Sequence, residues 1–292
     1  MIVSASYRTD IPALYADWFS RRLDAGFADV LNPYGGRPYR VWLDRERASG
    51  FVFWTRNADP FMPVLERLMR EGRAFYVSFT ITGNPRALER SVIHPEKAIA
   101  QIRRIAEICG AGAVVWRYDP VVAAWPEGAD GWRARHRERF ACLARALTGY
   151  TDECVISFMQ PYAKTRRNMN HAAGEAGLAW QDPPLAEKTA LLADLASVAR
   201  KAGIKASLCS QPDFLIDDVS PARCIDAGRL SRRGAVLKAR VKGNRPGCLC
   251  HESRDIGTYD SCVQGCAYCY AVSSRQRAAA RLKAHDPAAP ML

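Results

Sequence analysis

The stretch IVSASYRTD, residues 2–10, sets the pattern from which the fold can be predicted. A short apolar run, IVSAS, ends in the polar cluster YRTD, and an amphipathic helix is predicted after it, near residues 13–25. Runs of this length that are rich in β-branched and aromatic residues are typical of parallel strands buried on both faces. The stretch therefore predicts one unit of strand, polar strand end and helix.

The same unit recurs along the chain. Further apolar runs are FADVL (27–31), GFVFW (50–54), FYVSF (75–79), AVVW (113–116), VISF (155–158), IKASL (204–208) and DIGTY (255–259). Amphipathic helices are predicted near residues 60–72, 95–109, 131–148, 185–202 and 271–284. Alternating strands and helices imply a parallel sheet.

We predict one α/β domain over residues 1–292, a TIM-like (β/α) barrel, because seven clear units and the weaker FADVL approach the eight of that fold. The barrel is incomplete if FADVL is not one of its strands. An open doubly wound sheet is the alternative, because FADVL has no clear helix after it and residues 33–50 read as a hairpin or a loop.

Composition indicates a globular protein with a basic surface. The chain has 292 residues, 48% of them hydrophobic, and 42 Lys and Arg against 30 Asp and Glu give a net charge of +12. The arginines are scattered along predicted helices, which favours a solvated surface over a dedicated nucleic-acid stripe. The first apolar stretch is too short for a secretory signal, and no run approaches the ~20 apolar residues of a membrane span. We therefore expect a cytoplasmic protein without a membrane anchor.

Three cysteines stand close together in DIGTYDSCVQGCAYCYA, residues 255–271. Cys262, Cys266 and Cys269 have the spacing C-x3-C-x2-C, and Tyr268 precedes the last of them. Three thiolates can each bind one iron of a four-iron cluster, and the fourth iron is then open. An open iron can chelate the amino and carboxylate groups of S-adenosylmethionine. A zinc knot is the alternative, but zinc prefers C-x2-C pairs and four ligands.

This spacing resembles the radical S-adenosylmethionine signature, C-x3-C-x-aromatic-C, at every position. The resemblance implies a [4Fe-4S] cluster on the triplet and places Tyr268 beside the adenine of S-adenosylmethionine. That family carries the triplet after the first barrel strand, whereas here it follows the last one. The difference implies a circularly permuted barrel, in which the strand at 2–6 lies parallel beside the strand at 255–259.

Over almost its whole length the chain also resembles the domain-of-unknown-function 1848 family (DUF1848). The stretches that carry this resemblance are SASYRTDIPALY (4–15), FVFWTRNADP (51–60), VVWRYDPVV (114–122), CVISFMQPYAK (154–164), LCSQPDF (208–214), RCIDAGRL (223–230), CLCHESRDIGTYDSC (248–262) and GCAYCYA (265–271). The resemblance implies a C-terminal cysteine cluster similar to that of radical S-adenosylmethionine proteins.

Seven of the ten cysteines fall within residues 205–270, which we predict to be a cluster-binding region. Besides the triplet these are Cys209, Cys224, Cys248 and Cys250, and the resemblance supports treating them as one set. Four thiolates suit a closed second [4Fe-4S] cluster, which we favour, or a structural zinc ion. The remaining three, Cys109, Cys142 and Cys154, are expected to be small buried side chains.

Polar residues at the strand ends are candidates for catalysis. Arg8 or Arg117 could hold the carboxylate of S-adenosylmethionine or an anionic substrate, because a guanidinium binds carboxylates through two hydrogen bonds. Asp10 or Asp119 could accept a hydrogen bond from a ribose hydroxyl. The alternative is that these are Arg–Asp pairs that fix the rim of the barrel. Weaker candidates are Thr55, Arg56, Asn57, Lys164 in what reads as an exposed basic loop, and His251.

The sequence supports two candidate functions, one as an enzyme and one as a binding protein. The favoured one is a radical S-adenosylmethionine enzyme with two clusters, an electron donor such as flavodoxin or ferredoxin, and an unknown substrate that could be anionic. The alternative is a non-catalytic iron–sulfur or zinc protein that binds nucleic acid through its basic surface. The reaction itself is not encoded in any motif of the chain.

Overall fold

The architecture is known from a computed structural model that describes residues 1–32, 35–129 and 131–292. Its strands are β1 (Ile2–Ala5), β2 (Phe27–Val30), β3 (Tyr39–Trp42), β4 (Gly50–Thr55), β5 (Phe75–Thr80), β6 (Val114–Val121), β7 (Ala124–Pro126), β8 (Glu153–Phe158), β9 (Leu178–Trp180), β10 (Lys205–Leu208), β11 (Ser220–Pro221) and β12 (Ser253–Asp255). Its α-helices are α1 (Ile11–Leu14), α2 (Ala16–Ala25), α3 (Met62–Arg70), α4 (Pro95–Cys109), α5 (Trp132–Leu147), α6 (Ala163–Gly174), α7 (Leu185–Lys201), α8 (Ala227–Arg232) and α9 (Arg275–Ala284).

Eight strands form one sheet in the order β11-β10-β8-β6-β5-β4-β1-β12, and all neighbouring pairs in it are parallel. The prediction of an α/β fold with a parallel sheet is confirmed. β11 and β12 are the two ends of this order, and among the described residues no strand pairing joins them.

The two faces of the sheet carry different layers, because successive side chains of a strand point to opposite sides. Phe51 and Phe53 of β4 belong to a large core that includes residues of α2, α3, α4, α5 and α7. Val52, between them, belongs to a second core, formed with residues 222–230 and with Cys209, Cys224 and Cys250. Burial on both faces explains the continuous apolar runs of the sequence.

The first and last strands of the chain are neighbours. β1 pairs in parallel with β12, with Ile2 opposite Ser253 and Ser4 opposite Asp255. The predicted parallel strand beside residues 2–6 is therefore present, but its predicted bounds, 255–259, are wrong, because the strand covers Ser253–Asp255. Beyond it the chain leaves the sheet at Gly257, where a Cβ atom would lie 1.9 Å from the Ser6 hydroxyl oxygen.

Three predictions of local structure are wrong. FADVL is not a strand of the main sheet, because β2 pairs antiparallel with β3 in a separate hairpin; residues 33 and 34 of its connection lie outside the described residues. The expected basic loop around Lys164 is helix α6, which buries residues 165, 169, 172 and 173 on one face. Of the three cysteines expected to be buried, only Cys154 is, since Cys142 is exposed on α5 and Cys109 is half-buried.

Within the described residues, the helices are all too short or too polar to cross a membrane.

Candidate functional site

The three cysteines of the triplet line one cavity of about 360 Å³. That volume lies within the range of about 300–1,000 Å³ that is usual for small-molecule sites. Its wall includes residues from α6 and α9 and no fourth cysteine. The other lining residues are Ala87, Arg90, Asn168, His171, Ala172, Gln264, Gly265, Ala267, Val272, Ser273, Ser274, Arg275 and Gln276.

The cysteine loop is fastened to the segment that follows β5. The Ser91 amide donates to the Gln264 carbonyl oxygen at 2.9 Å, and the Ala267 amide donates to the Leu88 carbonyl oxygen at 2.9 Å. Between them Cys266 forms an antiparallel bridge with residue 89. These backbone hydrogen bonds fix where the thiols stand, although the loop contains no regular secondary structure.

Asp10 fastens the loop from the side of β1. Its buried carboxylate accepts from the Thr55 hydroxyl at 2.7 Å, from the Arg56 and Ala13 amides at 2.9 and 3.1 Å, and from the Gln264 side-chain amide at 3.1 Å. Burial raises the pKa of Asp10, although these hydrogen bonds oppose the rise. With four donors on one carboxylate, Asp10 joins α1, β4 and the cysteine loop.

Tyr268 belongs to a buried network centred on Glu89. Its hydroxyl donates to Glu89 and accepts from Arg56 Nη2 at 2.7 Å, and Arg56 Nη1 lies 3.2 Å from Glu89 Oε2. The same carboxylate accepts from the Thr82 hydroxyl at 2.6 Å and from the Asn84 amide at 3.1 Å. Sequence reasoning missed Glu89, which lies in coil well beyond the end of β5 and has no motif around it.

Burial favours the protonated form of two of the triplet thiols, those of Cys262 and Cys266. Burial raises the pKa of Cys266 to about 12, although the Arg56 cation opposes the rise, and it raises the pKa of Cys262 further, with Asp10 adding to the effect. Because metals bind thiolates, occupation of this site must displace these protons.

The second set of cysteines also lies together, in the second core, on the face of the sheet opposite the large core. Cys209 Sγ and Cys224 Sγ are 3.3 Å apart, and Cys250 Sγ accepts from the Ile225 amide at 3.4 Å. Cys250 in turn interacts with both Cys224 and Cys248, and its hydrogen bond lowers the pKa of Cys248 to about 5. The four thiols thus form a continuous chain of contacts.

Arg117 and Asp119 stand at this second set and not at the triplet. Arg117 Nη1 donates to Cys224 Sγ at 3.0 Å, and Nη2 donates to Asp119. Ser157 donates to the other oxygen of Asp119. Burial opposes the ionisation of Asp119, but the Arg117 charge and the Ser157 hydroxyl lower its pKa. The pair is therefore a buried ion pair beside the thiols.

Arg8 is paired at the end of β12. Its Nε lies 3.4 Å from Asp255 Oδ1, and its guanidinium carbon lies 5.6 Å from the ring centroids of both Tyr7 and Tyr259. Asp255 also accepts from the hydroxyls of Ser4 and Ser6, at 2.8 and 2.7 Å. Arg8 thus joins β1 to β12 on the side of the sheet where the cysteine loop begins.

The weaker candidates have structural partners. The Asn57 side chain accepts from Gln101 at 2.7 Å, and Lys164 Nζ donates to the Tyr270 carbonyl oxygen at 2.8 Å. His251 Nδ1 lies 3.2 Å from the Ala227 amide nitrogen, so its ring contacts the backbone at the start of α8.

Within the described residues, no three His, Cys, Asp or Glu side chains are arranged so that they could hold one metal ion. A single zinc ion needs its sulfur ligands at about 2.3 Å, whereas the cysteines of a four-iron cluster each bind a different iron and stand farther apart. Three thiols around one cavity suit a four-iron cluster better than a single zinc ion. The second set would have to open from its present chain of contacts to hold either group.

Comparison with known proteins identifies a family but no characterised relative. No curated protein and no solved structure matches the chain significantly. The family model described as "Domain of unknown function (DUF1848)" matches residues 2–271. Since that range covers most of the 292 residues, the chain belongs to the DUF1848 family.

Proposed function

We propose that this protein is a radical S-adenosylmethionine enzyme. The observation that carries the proposal is that three cysteines at C-x3-C-x2-C spacing line one cavity whose wall contains no fourth cysteine. An electron-carrying cluster normally has four cysteine ligands, whereas a cluster that binds substrate needs an open iron. The description of the DUF1848 family names no reaction, so the proposal rests on these residues.

Cys262, Cys266 and Cys269 would hold the [4Fe-4S] cluster. When bound, the cluster supplies the one electron that breaks a carbon–sulfur bond of S-adenosylmethionine and so starts radical chemistry on the substrate. Arg275 lines the cavity and donates to the Ser91 hydroxyl at 2.9 Å. Its guanidinium is suited to the carboxylate of S-adenosylmethionine. Arg117, which faces the other thiols, is a weaker candidate for this role.

The residues behind the loop position it and offset charge. Arg56 is a buried cation that interacts with the Cys266 thiol, and Glu89 and Tyr268 hold its guanidinium in place. A cation beside the ligands favours thiolate over thiol and a more negative cluster over a less negative one. Asp10, through Gln264, keeps the loop against β1 and β4.

The second set would hold a second [4Fe-4S] cluster, with structural zinc as the alternative. Four thiolates around either group leave a negative charge, and two guanidiniums face them, since Arg117 donates to Cys224 and Arg245 donates to Cys209 at 3.6 Å. Iron analysis of anaerobically purified protein tests this part. Cys262→Ala should remove one cluster and Cys250→Ala the other; zinc in place of the second cluster would correct the assignment.

The chain order fits a circularly permuted barrel. The cysteine loop follows β12, and β1 lies beside that strand, so the triplet strand and its neighbour adjoin although they stand at opposite ends of the chain. The proposal of a (β/α) barrel adds that β11 and β12 approach each other across the seam.

The product of S-adenosylmethionine cleavage tests the proposed function. Anaerobically reconstituted protein, reduced with dithionite in place of flavodoxin or ferredoxin, is incubated with S-adenosylmethionine. We expect 5′-deoxyadenosine, or methylthioadenosine if the other carbon–sulfur bond breaks, and none from Cys266→Ala. A non-catalytic iron–sulfur or zinc protein that binds nucleic acid would release neither product from the wild type.

A further inference from the structure

Two tyrosines beside the cysteine sets leave about half of their surface exposed. Tyr270 follows the last cysteine of the triplet and is 52% exposed, and Tyr162 precedes α6 and is 53% exposed. An aromatic ring that stays exposed to water does not contribute the favourable free energy that its burial would give. Single exposed apolar residues are ordinary, but one of these rings directly follows the triplet and the other directly precedes α6, whose residues line the cavity. This placement favours a ligand with aromatic faces.

Cations are interleaved with these rings. Lys164 Nζ donates to the Tyr270 carbonyl oxygen at 2.8 Å. Tyr162 follows β8, and the neighbouring strand β10 ends beside Cys209. Arg245 reaches Cys209 of the second set. The Tyr–Lys–Tyr–Arg series therefore runs from the triplet to the second cysteine set.

The series continues towards β1. The Tyr270 hydroxyl donates to the Tyr7 carbonyl oxygen at 2.6 Å, and the Tyr7 ring packs edge-on against Trp54 at 6.1 Å between centroids. Arg8 lies over the rings of Tyr7 and Tyr259. We call the exposed pair Tyr162 and Tyr270, with Lys164 and Arg245, the stacking surface.

A ligand for such a surface carries negative charge and flat rings together. Single-stranded nucleic acid has both, because its phosphates pair with Lys and Arg while its unstacked bases lie on aromatic side chains. The net charge of +12 also favours the binding of a polyanion. An acidic electron-carrier protein would need the cations, but it would not need two isolated rings with cations between them.

We propose that the stacking surface binds single-stranded nucleic acid, with bases on Tyr162 and Tyr270 and phosphates on Lys164 and Arg245. Nucleic acid is then the proposed substrate class of the radical chemistry, because Tyr270 directly follows Cys269 in the chain. This inference rests on the proposed function for the reaction, whereas the binding itself does not depend on S-adenosylmethionine.

Fluorescence anisotropy of a labelled 12-nucleotide single strand, as DNA and as RNA, tests the binding on anaerobically purified protein. We expect binding that weakens as salt is raised. Tyr162→Ala and Tyr270→Ala should each raise the Kd about tenfold, in line with the stacking of one base. Tyr270→Phe keeps the ring and loses only its hydroxyl, so it should bind like the wild type. Thermal melts establish that each variant is folded.

Matched controls come from a separate aromatic–cationic group. Trp42 in the β2–β3 hairpin lies under the guanidiniums of Arg40 and Arg47, and Trp42→Ala should leave the Kd unchanged. For charge, Lys164→Glu should weaken binding and reduce the salt slope by about one, as loss of one phosphate contact does. Lys205→Glu, an exposed residue at the amino end of β10, should do neither.

The inference is overturned if no single strand binds at low salt, or if Trp42→Ala weakens binding as much as Tyr270→Ala. It is also overturned if an acidic flavodoxin, and no oligonucleotide, competes for the surface that the tyrosine variants define. S-adenosylmethionine cleavage without oligonucleotide binding would remove this inference and leave the proposed function. Tyrosine-dependent binding without cleavage would keep the binding site and remove the proposed function.

Discussion

Glu89 shows how much a single buried side chain organises here. It accepts from Tyr268, Thr82 and Asn84 and pairs with Arg56, so three separate segments meet at one carboxylate. A buried charge with these partners is stable only while all of them remain, because an unpaired ion in a dry environment is costly. The order of the triplet loop therefore depends on this network remaining intact.

Replacing Glu89 with Ala should lower the free energy of unfolding by about 3–5 kcal/mol, because it leaves the Arg56 charge buried without a partner. Urea denaturation measures the change. The double variant Glu89→Leu with Arg56→Met removes both charges and should lose less than Glu89→Ala alone. If the double variant loses as much, the cost comes from packing and the network has no special role.

His136 gives the protein a pH-dependent stability. Its Nε2 donates to the Val122 carbonyl oxygen at 2.9 Å, and the Tyr118 hydroxyl lies 2.7 Å from Nδ1. Burial, aided by the Arg139 charge, lowers the pKa of His136 from 6.5 to about 4. Between these two values the unfolded chain binds a proton that the folded protein does not, so stability falls as the pH drops through this window.

The loss attributable to His136 between pH 7 and pH 4 should be about 3 kcal/mol. Urea denaturation at several pH values would show it as the difference in slope between the wild type and His136→Gln. Equal slopes for the wild type and His136→Gln would contradict the assignment.

Side chains with local signals could be predicted from the sequence, and those without could not. The proximity of the triplet cysteines follows from their spacing. Arg8, Asp10, Arg117 and Asp119 were found because they follow apolar runs. That Arg117 faces Cys224 could not be foreseen, because the contact joins residues more than a hundred positions apart.

At the scale of elements, the short strand β12 depends on what lies beside it. Asp255 at its end accepts from Ser4, Ser6 and the Tyr7 amide, so side chains supplement a pairing of only three residues. Gly257 then passes so close to Ser6 that no side chain fits there. The end of β12 is thus held by the hydrogen bonds to Asp255 and by the close approach of Gly257 to Ser6.

Gly257→Ala should destabilise the protein by at least 1 kcal/mol, since overpacking at well-packed sites costs about 1–3 kcal/mol. Gly112→Ala is the matched control, because a Cβ atom there meets nothing within 4 Å, and it should be close to neutral. Differential scanning calorimetry compares the two. A melting temperature for Gly257→Ala equal to that of Gly112→Ala would mean that β12 is not held in this way.

Six predicted strands of the main sheet are present over the predicted residues, since apolar runs buried on both faces are distinctive, whereas the predicted strand DIGTY overlaps β12 only at Asp255. FADVL was assigned wrongly to that sheet because a run of five residues carries no information about its partner. Helix α6 was missed because its sequence, AKTRRNMNHAAG, is mostly polar and buries only one narrow face. The strand β11 has two residues and leaves no pattern to detect.

At the scale of the whole molecule, the C-terminal region is built into the fold. Trp18 Nε1 donates to the Ala289 carbonyl oxygen at 2.9 Å, and Arg22 donates to that of Ala288 at 3.0 Å. Together with the β1–β12 pairing, these contacts tie the last forty residues to the first thirty. Along the chain, the cysteine loop lies between β12 and these C-terminal contacts.

Removal of residues 253–292 should abolish cooperative thermal unfolding, because it exposes the unpaired edge of β1 and uncovers α2. Circular dichroism during heating measures the transition, with the full chain as the reference. A truncated protein that keeps its helical signal and a sharp melt would mean that the triplet is carried on a detachable tail.

We propose that the triplet holds a cluster with an iron open to S-adenosylmethionine. Electron paramagnetic resonance of the reduced protein, recorded with and without S-adenosylmethionine, tests it most directly, because a ligand on the cluster changes the spectrum. Cys250→Ala simplifies the measurement by removing the other proposed cluster. We predict that its spectrum shifts on addition of S-adenosylmethionine and that Cys262→Ala shows no such shift. A four-iron signal in Cys250→Ala that S-adenosylmethionine leaves unchanged would contradict the account.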